Sequence, residues 1–118
     1  MEIFSRFQLE AARRLPHLSA DHPCARLHGH TFHVEVHICG PLDPLLGWVL
    51  DFADIEHAWQ PVHDALDHRC LNDVPGLDNP TSEHLARWIW HHLKPALPGL
   101  SKVIVMETPS SGCSYCGD

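Results

Sequence analysis

From Thr31 to Cys39 the chain alternates with a period of two. Phe32, Val34, Val36 and Ile38 fall on one parity, and His33, Glu35 and His37 on the other. Successive side chains of a strand point to opposite faces, so this stretch reads as a strand with one dry face and one wet face. A helix would scatter the same four apolar residues around its axis. A strand of this kind belongs to an antiparallel sheet that is covered on one side only, and the rest of the chain must supply the cover.

The cover is legible as two helices. Ile55, Ala58, Trp59, Val62, Ala65 and Leu66 recur at helical spacing behind Asp51, a suitable N-cap, with Pro61 inside the run as a potential kink or a shifted start. Asn79-Pro80 is expected to open a second helix, with Leu85, Trp88, Ile89, His92 and Leu93 on its apolar face and Pro95 and Pro98 closing it. A first strand is expected over about 3–13, where Phe7, Leu9 and Ala11 alternate and Leu15-Pro16 follows. Trp48 to Phe52 reads as a short extended piece, Lys102 to Thr108 as a third strand, and Gly112 to Cys116 as a fourth. The order ββααββ implies an α+β fold, an antiparallel four-stranded sheet with two helices on one face. Such a sheet has two edges, and no clear edge protection is visible, so an oligomer is expected.

The 118 residues fit one domain, 1–118. A net charge of −7 argues against a nucleic-acid surface. No run of about 18 apolar residues is present, so no membrane span is expected. The first residues lack a signal-peptide pattern, and the five cysteines suggest no disulfide framework, so a reducing, cytoplasmic setting is expected.

Four groups of residues could carry chemistry. Cys24 precedes His28 and His30; if the strand register reaches back that far, both imidazoles point to one side and can share a metal. Read without that context, the pair is polar residues in a turn, and Cys24 is a small buried apolar residue. Asp67-His68 ends the first helix: a carboxylate that orients an imidazole makes a proton shuttle, and otherwise the two are a solvated helix end. Glu107 follows Val103-Ile104-Val105-Met106, where a carboxylate is costly unless paired; it could bind a ring edge with two N–H donors or simply face water. Cys113 and Cys116 form a C-x-x-C without the βαβ setting of a redox pair or a second ligand pair, and are treated as incidental.

The ordered set Leu9–His17, Cys24-x-x-x-His28-Gly-His30, Gly47–Phe52, Leu66-Asp-His68, Leu71-Asn-Asp73, Asn79-Pro-Thr-Ser-Glu83 and Glu107-Thr resembles the 6-pyruvoyltetrahydropterin synthase family, in its 6-carboxytetrahydropterin synthase branch, over nearly the whole chain. The resemblance implies a tunnelling fold whose subunits join as trimers, two of which stack into a hexamer with sites between subunits. It implies conversion of 7,8-dihydroneopterin triphosphate to 6-carboxytetrahydropterin, with release of acetaldehyde and triphosphate, in queuosine biosynthesis. It also implies roles: His28 and His30 as zinc ligands, Cys24 as catalytic thiol, Asp67 and His68 as its proton-moving partners, Glu107 as the anchor of the pterin ring, and Thr81 and Ser82 near the pterin edge.

One position departs from the family. The family motif Glu-Ala-Ala-His-Arg-Leu-Pro carries the third zinc ligand, and here the run is Glu10-Ala-Ala-Arg13-Arg14-Leu15-Pro16. Arg13 is not a ligand, because its guanidinium stays protonated. His17 is no obvious replacement, and His22 is a more distant one. Three readings stand at this point: zinc is retained through His28, His30 and a substitute ligand; Arg13 fills the metal position and binds substrate oxygen or phosphate; or the chain is a pterin-binding paralogue without efficient turnover, or a metal-handling protein. Pyruvoyl-type chemistry is the further alternative for an active enzyme.

Overall fold

The computed structural model describes residues 1–118. Strands β1 (Glu2–Arg13), β2 (His28–Cys39), β3 (Leu100–Thr108) and β4 (Ser111–Tyr115) form one antiparallel sheet in the order β1-β2-β3-β4. Helices α1 (Phe52–Leu66) and α2 (Ser82–Leu93) fall between β2 and β3 in sequence and cover one face. The ββααββ reading holds.

The core forms where the two periodicities meet. Phe32, Val34, Val36 and Ile38 of β2, Leu9 and Ala11 of β1, and Val103 and Val105 of β3 face Ile55, Trp59, Val62 and Leu66 of α1 and Leu85, Ala86, Ile89 and Leu93 of α2, all buried. Phe7 stacks on Trp59 at 4.8 Å between ring centroids. The opposite parity of β2 is wet with one exception. His37 is buried, with its ring nitrogens 3.1 Å from Glu2 and 2.9 Å from Glu35 and its face on Phe4.

Several boundaries differ from expectation, each for a local reason. β2 begins at His28, because Ala11, Ala12 and Arg13 of β1 pair with His30, Gly29 and His28 and carry the ladder back. Trp48 is irregular, Val49 and Leu50 form a bend, and Phe52 already belongs to α1, capped by the Asp51 carboxylate accepting from the Ala53 N–H at 2.9 Å. Pro61 does not break α1; it lies on the exposed side of the helix, where a missing N–H costs least. α2 starts at Ser82 because the Thr81 hydroxyl takes the cap position and accepts the His84 N–H at 3.1 Å. The buried stripe of α2 includes Trp90, whereas Trp88 and His92 stack on each other at 3.7 Å on the flank.

The expected lack of edge protection is half right. The outer edge of β1 is paired near its end: the Ala12 N–H donates to Arg69 O at 2.9 Å, and the His68 N–H to Glu10 O at 2.6 Å. The N-terminal part of β1 and the strand β4 keep unpaired outer edges. No helix is long and apolar enough to cross a membrane.

Candidate active site

Arg13, His28, His30 and Glu107 converge because strand parity puts all four on the helix-covered face at one end of the sheet. Arg13 lies opposite His28 and Ala11 opposite His30. Glu107 continues the inward parity of Val103 and Val105. The His28 and His30 rings meet edge to face at 5.5 Å, and His30 packs on Phe32 at 5.4 Å. His28 Nδ1 sits 2.7 Å from the Arg26 carbonyl, so Nδ1 carries the proton and Nε2 is the free acceptor.

The centre of this cluster is an ion pair. The Arg13 side chain is only 2% exposed. Its Nη2 donates to Glu107 Oε1, its Nη1 donates to the Pro80 carbonyl at 2.9 Å, and its Cζ lies 5.0 Å from the centre of the Phe32 ring. Arg13 Nε is buried without a partner. The Ser82 hydroxyl donates to the same Glu107 oxygen. Burial pushes the Glu107 carboxyl up, but the Ser82 hydrogen bond and the Arg13 guanidinium outweigh it and hold the group below the usual carboxylate range. Glu107 therefore stays ionised. Its Oε1 is committed within the chain, and Oε2 is the oxygen left for a ligand.

Glu107 also lines a cleft of about 230 Å³ with Ser82, Glu83, Ser111 and Cys113. Burial first, and then the Glu83 charge, push the Cys113 thiol up, which keeps it protonated and unreactive. Cys113 packs against the core and Cys116 is exposed, both as free thiols. Thr81, expected near the ring edge, spends its hydroxyl on the α2 cap.

A second cluster lies at the outer edge of β1. Asp67 ends α1; its Oδ1 accepts the Glu10 N–H at 2.8 Å, and its Oδ2 is 2.6 Å from His68 Nδ1. The Glu10 hydrogen bond, followed by the one from His68, holds the Asp67 carboxyl below its ordinary range. An ionised carboxylate only accepts, so the proton sits on His68 Nδ1, and Nε2 faces solvent on a side chain that is 79% exposed. His68 adopts the left-handed backbone region at φ 57, which aims its N–H at Glu10 O. A cleft of about 500 Å³ opens here, bordered by Glu10, Thr31, His68 and Cys70. Thr31 donates to Glu10 at 2.7 Å. Glu10 and Thr31 were missed in the sequence, although both sit on the outward parity of paired strands.

The two clusters are apart within one chain. Cys70 bridges to β1 like a fifth strand, and Glu107 lies on β3, three strand spacings away, or roughly 14 Å. Cys24 occupies a 3-10 turn, Pro23–Ala25, in the loop joining β1 to β2, with its N–H donating to His22 Nδ1 at 3.0 Å.

A three-ligand metal site does not fit these residues. No group of three His, Cys, Asp or Glu side chains has the arrangement to hold a metal ion. His28 and His30 supply two donors, and the strand position that would supply a third holds a buried cation. Arg13 is buried, with Nη1 on the Pro80 carbonyl and Nη2 on Glu107, an arrangement that points against the reading in which it binds substrate oxygen or phosphate.

The family profile described as 6-pyruvoyl tetrahydropterin synthase matches residues 2–118. The chain belongs to that family. It is 41% identical over 121 residues to the 6-carboxy-5,6,7,8-tetrahydropterin synthase of Synechocystis, covering 96% of this chain and 91% of that protein. It is 42% identical over 73 residues to the dihydroneopterin monophosphate aldolase of Pyrococcus furiosus, a match covering 62% of this chain and 60% of the aldolase. The structure of the 6-pyruvoyl tetrahydropterin synthase of Caenorhabditis elegans superposes with a TM-score of 0.91 at 28% identity, over 100% of this chain and 96% of that one. The α+β sheet described above is thus the tunnelling fold of the 6-pyruvoyl tetrahydropterin synthase family.

Proposed function

We propose that the chain is an enzyme of the 6-carboxytetrahydropterin synthase type, converting 7,8-dihydroneopterin triphosphate to 6-carboxytetrahydropterin with release of acetaldehyde and triphosphate, in queuosine biosynthesis. The relative bearing that name matches almost end to end, while the aldolase match covers under two thirds of the chain. The observation that carries the catalytic reading is the Asp67–His68 pair. A carboxylate fixed by a backbone N–H sets the imidazole tautomer and leaves Nε2 open, which is the geometry of a proton shuttle. Rearranging a hydroxylated side chain requires protons to leave carbon and oxygen, and a binding module has no use for such a pair.

In this reading Glu107 Oε2 accepts from the N–H edge of the pterin ring, Cys24 as its thiolate takes a proton from the side chain, and the open His68 Nε2 takes a second proton and hands it back. The separation of His68 from Glu107 supports a site completed between subunits of a homo-oligomer, a hexamer built as a dimer of trimers. The unpaired edges of β1 and β4 are the surfaces that suit such joining. The five free cysteines suit a cytoplasmic setting. One observation favours a second reading, a paralogue that binds pterin without efficient turnover: the buried Arg13 in place of a third metal donor.

The test is turnover of 7,8-dihydroneopterin triphosphate, followed by chromatography and mass spectrometry of the products, in the parent, Cys24→Ala and His68→Ala. Turnover to the carboxy product that falls about 100-fold in each variant supports the enzyme. Equal turnover in Cys24→Ala sinks the role of the thiol. Tight pterin binding without product in the parent selects the second reading, and Glu107→Ala should then weaken that binding.

A further inference from the structure

We infer that this chain has exchanged its metal centre for an internal cation: Arg13, paired with Glu107, prevents His28 and His30 from holding zinc. The inference concerns metal content alone and does not depend on whether the chain turns a pterin over.

Three observations carry it. The first is position. Arg13 lies directly across the β1–β2 ladder from His28 and shares its face, the place from which a β1 side chain would complete a site with the two histidines. The second is permanence. An exposed arginine could swing aside for a metal, but this one is 2% exposed and held by Pro80 O, Glu107 and the face of Phe32. Its guanidinium does not lose its proton and has no lone pair to offer. A divalent cation at the histidines would face a fixed positive charge across one strand spacing. The third is the absence of a substitute. His17 and His22 are exposed, His22 Nδ1 already caps the Cys24 N–H, and no third donor converges on the pair. Glu107, whose carboxylate interacts with the His30 charge, is already paired with Arg13.

The replacement works as a closed unit. Where a metal would organise the end of the sheet through its ligands, the Arg13 guanidinium ties β1 to β3 through Glu107 and to the segment before α2 through Pro80. It also commits Glu107 Oε1, so any ring must bind through Oε2. Arg13 is in this sense a positioning residue for Glu107.

The experiment measures zinc by elemental analysis and by competition with a chromophoric chelator. It uses the parent, a His28→Ala/His30→Ala variant and Arg13→His, each purified without a metal-affinity tag. The double variant separates histidine-bound zinc from zinc on the five free thiols. Because Arg13→His leaves Glu107 without its partner, the same substitution is also made with Glu107→Gln. The expected result is that the parent and the double variant hold equally little zinc. Arg13→His should gain nearly one zinc per chain with an affinity more than about 100-fold above the parent, a larger change than loss of an outer-sphere partner produces. Stoichiometric zinc in the parent that disappears with His28→Ala/His30→Ala overturns the inference. So does an Arg13→His protein, folded by circular dichroism in either background, that gains no zinc.

Discussion

Glu107→Gln is the sharpest test of how this site is held together. The substitution keeps size and hydrogen-bonding capacity but removes the only charge opposing a guanidinium that is 2% exposed. Removing one partner of a buried ion pair costs about 3–5 kcal/mol. Glu107 keeps 30% of its side chain in water, which screens part of the pair, so a loss of about 2–3 kcal/mol is expected. The reverse change is milder. Arg13→Met leaves a carboxylate that still has the Ser82 hydroxyl and solvent, and puts an apolar chain of similar length over Phe32, for a loss of about 1 kcal/mol. The double variant should sit near Arg13→Met alone, which makes the coupling about 2–3 kcal/mol. Urea unfolding at one fixed protein concentration reads all four proteins, since an oligomer's stability depends on concentration. The pH dependence has a definite sign. The folded Glu107 carboxyl titrates below its ordinary 4.5, so its contribution is complete above that value and is lost as pH falls through the lower folded value. The gap between parent and Glu107→Gln should therefore be full at neutral pH and close in acid below 4.5. A Glu107→Gln protein within about 0.5 kcal/mol of the parent at neutral pH, or an Arg13→Met protein that loses more than Glu107→Gln, would refute the reasoning.

Other outcomes follow from the second cluster and the core. Asp67→Asn should lower turnover about 100-fold with little change in stability; because Asp67 ionises below its ordinary range, the parent's pH–rate profile should show no limb from it above pH 3.8, and a limb there that vanishes in the variant would contradict this. His68→Gly should lower turnover about 100-fold yet raise stability by up to about 1 kcal/mol, since φ 57 is costly for any residue with a Cβ; a glycine variant that unfolds more easily in urea would show that no strain is stored there. Leu85→Ala should cost about 2–5 kcal/mol, whereas Leu45→Ala, at a side chain 90% exposed, should stay within about 0.5 kcal/mol; similar losses at both would mean the core is misassigned.

Legibility in the sequence tracked how local each determinant is. The alternation from Phe32 to Ile38, the Ile55–Leu66 stripe and the Asp51 cap are read within a few residues of themselves, and all three stand in the structure. The start of β2 was misplaced because His28-Gly29-His30 has no apolar alternation of its own; its strand state comes from pairing with β1, 15 to 19 residues earlier in the chain. Trp88 and His92 were put in the core because their spacing is helical, but packing turned α2 so that Trp90 took that place. The candidate groups Cys24, His28, His30, Asp67, His68 and Glu107 stood out by residue type and spacing. What Arg13 does was not, since its carboxylate partner is 94 residues away and its carbonyl partner 67. Parity alone puts Arg13, His28 and Glu107 on one face, but only the register between strands brings them to the same end.

The placement of Asp67 and His68 outside β1, three strands from Glu107, has a genetic consequence. If a neighbour's edge closes each site, every chain contributes its dyad to one site and its carboxylate to another. A copy lacking His68 and a copy lacking Glu107 would each be inert alone. Mixed before assembly, they would rebuild an intact site wherever a sound edge meets a sound interior, in about a quarter of the sites by random pairing. Defects in this protein would then belong to pairs of chains, and two broken alleles could rescue one another.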